Sequence, residues 1–404
     1  EDQGLTDYVN TSIGVATASL FMIVASMQVP PGYALFIPSA LRKAIGLPVI
    51  GVGRFKDPRQ ADRALVEGHC DLVGVVRGQI ADPDFAAKAR AGLVDDVRLC
   101  LSCNQECVGR MGLNRWLGCI ENPRTGRESV PLPAPTRRPK RVLVVGGGPG
   151  GLQAALTAAE QGHHVTLFER DERLGGQVPV AAAVPSRAEV LDLTRNLVSA
   201  VQRTGVDVKL ACEASVDLLL SEHPDAVVLA TGAVPQRPWW AGDLEEVVDV
   251  RDVLEGRVTP IGRVLVVDEL GFHQATSVAE LLADRGCTVE VCTPGMVVGQ
   301  DLGITLDLET WNVKAEAKGI RQTTDVVMMA AAPGVVVTLQ HHPTGTDVSR
   351  TVDWVVCAVQ QRADDALWQA LKGAPFPVHR VGDCLAPRRA HAAVVEGHRV
   401  AVSL

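Results

Sequence analysis

Arg141-Val-Leu-Val-Val-Gly-Gly-Gly-Pro-Gly-Gly151 decides the fold. A short strand of buried composition runs straight into a glycine-rich turn, and a helical stretch from about Leu152 to Gln161 follows. That stretch ends at Gly162 and gives way to a second strand, Val165-Thr-Leu-Phe-Glu169. The turn reads G-x-G-x-x-G between strand and helix, with an acidic residue eighteen positions past the last glycine. This is the dinucleotide-binding fingerprint in its proper context. Gly146 makes the tight turn, Gly148 lets a pyrophosphate approach, Gly151 lets the helix pack closely, and Glu169 takes ribose hydroxyls. Glu169-Arg170 followed by Leu174-Gly-Gly176-Gln177 favours FAD over NAD.

Further along, Arg263-Val-Leu-Val-Val267 repeats Arg141-Val-Leu-Val-Val145 residue for residue. A helix from about Ala275 to Arg285 and the strand Cys287-Thr-Val-Glu-Val291 complete a second βαβ unit. Its turn, Asp268-Glu-Leu-Gly-Phe-His-Gln274, keeps only Gly271. Two carboxylates there would each repel a pyrophosphate by about 1–4 kcal/mol at ~4 Å, and Leu270 and Phe272 would block close backbone approach. Productive NAD(P)H binding is therefore not expected in this module. His273 reads as an ordinary loop histidine. His341-His342 is expected in a hairpin turn between Val335–Gln340 and Thr351–Val356, and Trp239-Trp240 is expected to pack the crossing between modules.

Upstream, Glu128 to Pro139 is Pro-rich and charged, a semi-rigid linker. Before it stands Cys100-Leu-Ser-Cys103-Asn-Gln-Glu-Cys107, with Cys119 after eleven more residues. Soft thiolates bunched this way suit zinc or an iron–sulfur cluster. Three close cysteines plus one distant fit a [4Fe–4S] cubane better than zinc; free or disulfide-bonded cysteines are the third reading. Residues before the cluster contain three βα-like units. Asp7–Ile13, Leu47–Gly53 and Asp71–Val76 read as strands of a buried parallel sheet. Asp57-Pro58 and Asp82-Pro83 read as helix starts. Two short loops carry arginines, Gly53-Arg54 and Arg77-Gly78. They read either as a flavin mononucleotide phosphate cradle at the end of a TIM barrel or as ordinary salt-bridging arginines.

Gly51-Val-Gly-Arg-Phe55, Ile80-Ala-Asp-Pro-Asp84, the four cysteines and Glu121-Asn-Pro123 resemble the iron–sulfur flavoenzymes of the Old Yellow Enzyme class. These include 2,4-dienoyl-CoA reductase, trimethylamine dehydrogenase and N-demethylating relatives; oxidoreductases of the mycofactocin system look similar too. The resemblance implies FMN in the barrel, a cluster at the barrel's exit and a disulfide-reductase-like pair of Rossmann modules behind it. It also implies FAD, or ADP in its place, in the first module. There Val227–Gly232 ends at the nucleotide and Asp383 of Arg380-Val-Gly-Asp-Cys384 contacts the ribityl or pyrophosphate part. Asp383 also suits the N-cap of a helix over Ala390–Val400. Such relatives share the decayed second turn and a segment like Thr293-Pro-Gly-Met-Val-Val-Gly-Gln-Asp301.

Two departures stand out. A closed barrel needs about eight strands and roughly 250 residues, and only three strands are legible here. The chain opens at Glu1 in the run-up to a strand, so it is expected to be a fragment lacking the N-terminal barrel segment. Where the reductase branch carries a substrate-site histidine, the matching segment offers Ala16, so no catalytic acid or base is nominated.

The expected organisation is α/β. Residues 1–127 form the barrel remnant with the cysteine loop, 128–140 the linker, 141–235 with 352–404 the FAD-type fold, and 236–351 the degenerate module. A formal charge of −8 without a basic stripe argues against nucleic acid. The apolar run Val15–Val29 is too polar and short to span a bilayer. Clustered thiolates and scattered single cysteines suit a reducing cytoplasm. The expected function is an amine-dehydrogenase-like iron–sulfur flavoprotein oxidoreductase acting on a small molecule, with a protein electron acceptor. An NAD(P)H-dependent enoyl reductase and a non-catalytic electron-transfer subunit are the rivals. Either a homo-oligomer or a missing barrel segment is expected to complete it.

Overall fold

The computed structural model describes residues 4–404. Two five-stranded parallel sheets carry most of it. In the first, Arg141–Val145 lies between His164–Phe168 and Ala226–Leu229, with Asp207–Lys209 and Val378–Arg380 at the edges. Val142 to Val145 are all buried, because helices cover both faces of a parallel sheet. The helix after the turn, Pro149–Glu160, starts with proline at its first position, where no N–H is needed. It lies against the C-terminal helix Ala390–Val402. A Cβ on Gly397 would come within 2.3 Å of the Gly150 carbonyl, so this close crossing requires glycine.

The second sheet repeats the plan, with Arg263–Asp268 between Thr288–Cys292 and Trp354–Ala358. Arg321–Thr323 and Val247–Asp249 form its edges. Contrary to the expectation from the sequence, residues 352–404 do not all join the first fold. Trp354–Ala358 instead pairs in register with Val264–Asp268, so the return to the first fold comes after that strand. An antiparallel meander, Val326–Ala332, Val336–His341 and Thr346–Thr351, covers one face of the second sheet. Leu265 and Val267 meet Val337 and Leu339 there, with Trp240 buried among them and Trp239 left exposed. The hairpin thus pairs with Thr346–Thr351 rather than with 351–356, which supply the next strand.

The N-terminal part forms a three-stranded parallel sheet, Val9–Asn10, Val49–Gly51 and Leu72–Val73, shorter than the sequence suggested. Asp57 caps the helix Pro58–Val66 by accepting the Arg59 N–H. Asp82 does not start a helix as expected; it ends Arg77–Ala81. Its carboxylate accepts the backbone N–H groups of Asp84 at 3.0 Å and Arg98 at 2.8 Å, so a helix begins only at Phe85. Leu101, Cys103 and Ile120 pack into the same core as Val142, Leu152 and Leu193. The cysteine loop is therefore built into the first nucleotide fold, not hung from the barrel strands. No helix among the described residues is long and apolar enough to cross a membrane.

Candidate functional site

The first glycine turn is as tight as its motif requires. Gly146 has φ 105°, and a Cβ on Gly151 would lie 1.9 Å from the Gly146 carbonyl oxygen. Helix and strand can meet this closely only with glycine at both places. Glu169 is buried; Oε2 accepts the Gly147 N–H at 2.6 Å and Oε1 the Asp171 N–H at 2.9 Å. Its carboxylate holds the turn and retains lone pairs for a hydroxyl. The Leu174–Gln177 loop closes over the turn, with Gly175 N–H donating to Gly147 and Gly176 set against Gly148. Gln177 Nε2 donates to Asp383 Oδ2 at 3.2 Å, which joins the two distant segments. Asp383 lies in a tight turn, Gly382–Cys384, and does not cap the last helix, whose N-cap is Arg389. Burial pushes the Asp383 carboxyl upward, against the Arg388 N–H and Gln177. Arg170 is exposed at the rim.

Arg251, from the second module, completes this corner. Its Nη1 donates to the Ala233 carbonyl at 3.0 Å and its Nε lies 3.5 Å from Asp249 Oδ1, while Nη2 is buried without a hydrogen-bond partner. Its positive charge reaches Asp383. The unpaired Nη2 of Arg251, near a tight glycine turn, is a donor that an anionic or carbonyl-bearing nucleotide would satisfy. The residues present therefore fit a dinucleotide.

The four thiols gather on one loop. Cys100 and Cys103 are buried and Cys107 and Cys119 half-buried. Each lies near enough to feel charge on others of the set. Left-handed backbone at Ser102 (φ 53°) and Asn104 (φ 55°) folds the loop so that amides turn toward sulfur. Ser102 N–H donates to Cys100 Sγ at 3.3 Å. The backbone amides of Gln105, Val108 and Glu121 favour the thiolates of Cys103, Cys107 and Cys119. Burial, and then neighbouring thiols, push Cys103, Cys107 and Cys119 up, so without a positive partner they stay protonated. Among the described residues no group of three or more His, Cys, Asp or Glu side chains is arranged to hold a metal ion. Four soft ligands with backbone amides favouring their thiolates fit an iron–sulfur group in chemistry.

Both barrel arginines are engaged by protein. Arg54 is buried, with a left-handed backbone (φ 62°), and its Nη1 and Nη2 grip Glu189 at 2.8 and 2.7 Å. Lys56 joins Glu189 and Asp192, each at 2.7 Å. Arg77 donates to Asn104 Oδ1 at 2.6 Å and to the Ala25 carbonyl at 2.7 Å. Arg77 and Gly78 lie in a short helix, not the expected loop. Tyr33 feels the charge of both Arg77 and Arg54, and the Gly32 N–H beside it donates to the Gly53 carbonyl at 2.8 Å. Arg54 Nε is buried without a partner, a donor that a phosphate could take.

The second module's turn is closed from within. Asp268 is fully buried and accepts the Gly271 and Gly299 N–H groups, each at 2.8 Å. Asp301 N–H then donates to the Gly271 carbonyl at 2.8 Å, locking the segment that begins at Thr293 over the turn. His273 is no surface loop residue. It starts the helix His273–Asp284 and is buried against Asp307 and Arg187.

Residues 23–96 match the NADH:flavin oxidoreductase / NADH oxidase family, and residues 140–267 match the pyridine nucleotide-disulphide oxidoreductases. In these two segments the chain resembles the flavin oxidoreductases of the Old Yellow Enzyme class. It is 35% identical to the N,N-dimethylglycine/sarcosine dehydrogenase of Chromohalobacter salexigens, over 95% of this chain and 61% of that one. The 6-hydroxypseudooxynicotine amine oxidase of Pseudomonas geniculata N1 superposes with a TM-score of 0.91 at 27% identity, covering 98% of this chain and 61% of that one. A 2-naphthoyl-CoA reductase gives 0.89 at 30% identity, covering 98% and 60%. The chain thus spans about three-fifths of these flavin oxidoreductases.

Two further residues, Arg251 and Glu121, stand out by their burial rather than by any sequence motif. Arg251 carries no motif, and only its buried, unpaired Nη2 marks it. Glu121 belongs to the Glu121-Asn-Pro123 segment, which by itself marks no charge state. It is buried, with both carboxyl oxygens lacking hydrogen bonds, and burial pushes its pKa to about 8. The neighbouring Asn196 amide could serve it but is given to the Leu99 carbonyl at 3.0 Å.

Proposed function

We propose that this flavin oxidoreductase is an iron–sulfur dehydrogenase of the amine-oxidising kind, working in the cytoplasm and passing electrons to a protein acceptor. One observation carries the reading: four thiols brought together in one desolvated region, close enough to feel one another's charge. Likeness to a dimethylglycine/sarcosine dehydrogenase and to an amine oxidase supports the choice of substrate class.

Cys100, Cys103, Cys107 and Cys119 would ligate a [4Fe–4S] cluster. The amides of Ser102, Gln105, Val108 and Glu121 would stabilise negative charge on their sulfurs. Gly53, Arg54 through Nε, Arg77 and Gly78 would frame the FMN phosphate. Gly146, Gly148, Gly151, Glu169, Arg170, Gly176, Gln177, Asp383 and Arg251 would hold FAD, or ADP through the adenosine half alone. When bound, FMN supplies a two-electron acceptor for substrate and the cluster a one-electron outlet. The core around Leu101 and Ile120 keeps water from the sulfurs. Asp268 keeps a dinucleotide out of the second module by filling its turn with a carboxylate.

Iron and acid-labile sulfide should be present at about four each per chain, the content of a cubane. Anaerobic addition of a secondary or tertiary methylamine should bleach the flavin, whereas NADPH should not. Rapid bleaching by NADPH alone would turn the reading to an enoyl reductase, the chemistry closer to the naphthoyl-CoA reductase relative. Flavin that responds to neither donor would favour an electron-transfer subunit.

A further inference from the structure

We propose that Arg187 is a positioning residue that raises the reduction potential of the iron–sulfur centre, with Asp307 as its counter-charge; this rests on reading the four cysteines as cluster ligands. Arg187 lies in the turn Pro185–Val190 of the first fold and is only 5% exposed. Its Nη1 stands 3.1 Å from His273 Nε2, and Asp307 Oδ2 is 3.3 Å from the same nitrogen. A neutral imidazole thus sits between a buried cation and a buried anion. Asp307 is fixed by Ser26 Oγ at 2.5 Å and Thr305 Oγ1 at 2.8 Å, and left-handed backbone at Leu306 (φ 61°) sets its direction.

This assembly stands directly behind the cysteine loop. Met27 N–H, next to Ser26, donates to the Ser102 carbonyl at 2.9 Å. Asn104, next to Cys103, donates to the Thr305 carbonyl at 3.1 Å. Arg187's charge reaches the Cys103 thiol. Glu280, the other nearby carboxylate, takes Ser186 Oγ at 3.0 Å and is balanced by Lys314 at 3.4 Å. Of the two charges, only that of Arg187 acts on the Cys103 thiol.

A one-electron reduction adds negative charge to the cluster. A cation held in a dry, low-dielectric interior favours that state, and charge and hydrogen bonding around the sulfurs set cluster potentials. Stability alone is a weak reason for such a pair, since a buried ion pair rarely outperforms apolar packing.

The test is an EPR-monitored redox titration of the iron-loaded protein, after iron and sulfide in the unmodified protein are measured. At fixed potential, Arg187→Gln should shift the reduced-to-oxidised ratio at least tenfold toward oxidised, a fall of about 59 mV for a one-electron couple. Asp307→Asn should shift it the opposite way, and Arg187→Lys should stay near the unmodified value. Opposite signs are not produced by a merely structural clamp, which would lower cluster content in both variants. Equal or same-direction shifts at full cluster content would overturn the proposal. Should Arg187→Gln fail to assemble, Asp307→Asn alone decides by its sign. Absence of a cluster from the unmodified protein would instead overturn the ligand reading on which this rests.

Discussion

Asp268 and Gly299 meet where a dinucleotide phosphate would otherwise lie: Oδ2 of the fully buried carboxylate accepts the Gly299 N–H at 2.8 Å. With Oδ1 on Gly271, one side chain ties two loops that are distant in sequence. Burial pushes this carboxyl up, and the backbone N–H groups oppose that shift. Asp268→Ala leaves those donors unpaired and should cost about 1–3 kcal/mol. It should not create NADPH binding, because Leu270 and Phe272 remain. Chemical denaturation and NADPH titration by fluorescence check the two halves.

Cys103→Ser should abolish the broad visible iron–sulfur absorbance while leaving flavin bands. The buried thiol is both a ligand in the proposed set and part of the core with Leu101 and Leu152. Full cubane content in the variant would refute the ligand set.

Glu189 joins the barrel segment to the first nucleotide fold by receiving Arg54 and Lys56 together. Glu189→Ala leaves a buried guanidinium uncompensated, a loss of about 3 kcal/mol or more. Burial pushes Glu189 up, but hydrogen bonds and charge from Arg54 and Lys56 outweigh it and hold the carboxyl below the ordinary glutamate range. Its folded pKa is depressed, so this stabilisation is present above about pH 4.3 and is lost as pH falls through the lowered value. Acid unfolding followed by circular dichroism should show a shallower acid limb in Glu189→Gln.

His273 faces Arg187, Asp307 and Arg389. Burial and then the Arg187 charge lower its pKa to about 4, against Asp307. The unfolded histidine binds its proton near pH 6.5, so between about 4 and 6.5 the unfolded state holds more protons. Stability contributed here is present above about pH 6.5 and falls as pH drops toward 4. His273→Gln should flatten that slope in thermal melts at stepped pH.

Much was legible in the residues themselves. Local constraints wrote the glycine turn at Gly146–Gly151, the repeated Arg-Val-Leu-Val-Val strands, the Asp57-Pro58 cap and the loss of glycine after Asp268. Each depends on backbone sterics or on periodicity within about a dozen residues. Asp82-Pro83 was misread because its carboxylate serves Arg98, far along the chain, as well as Asp84. Trp354–Ala358 was misassigned because a buried parallel strand looks the same whichever sheet it joins.

The sequence by itself determined the α/β class, the paired nucleotide folds and which cysteines form a set, since those are properties of short segments. Only the tertiary structure decided that Asp268 turns inward and that Arg54 spends its fork on Glu189. It alone brought Ser26, Arg187, His273 and Asp307 together from three parts of the chain. Burial and charge pairing act between residues that are close in space, whatever their separation along the backbone, and no local pattern records them.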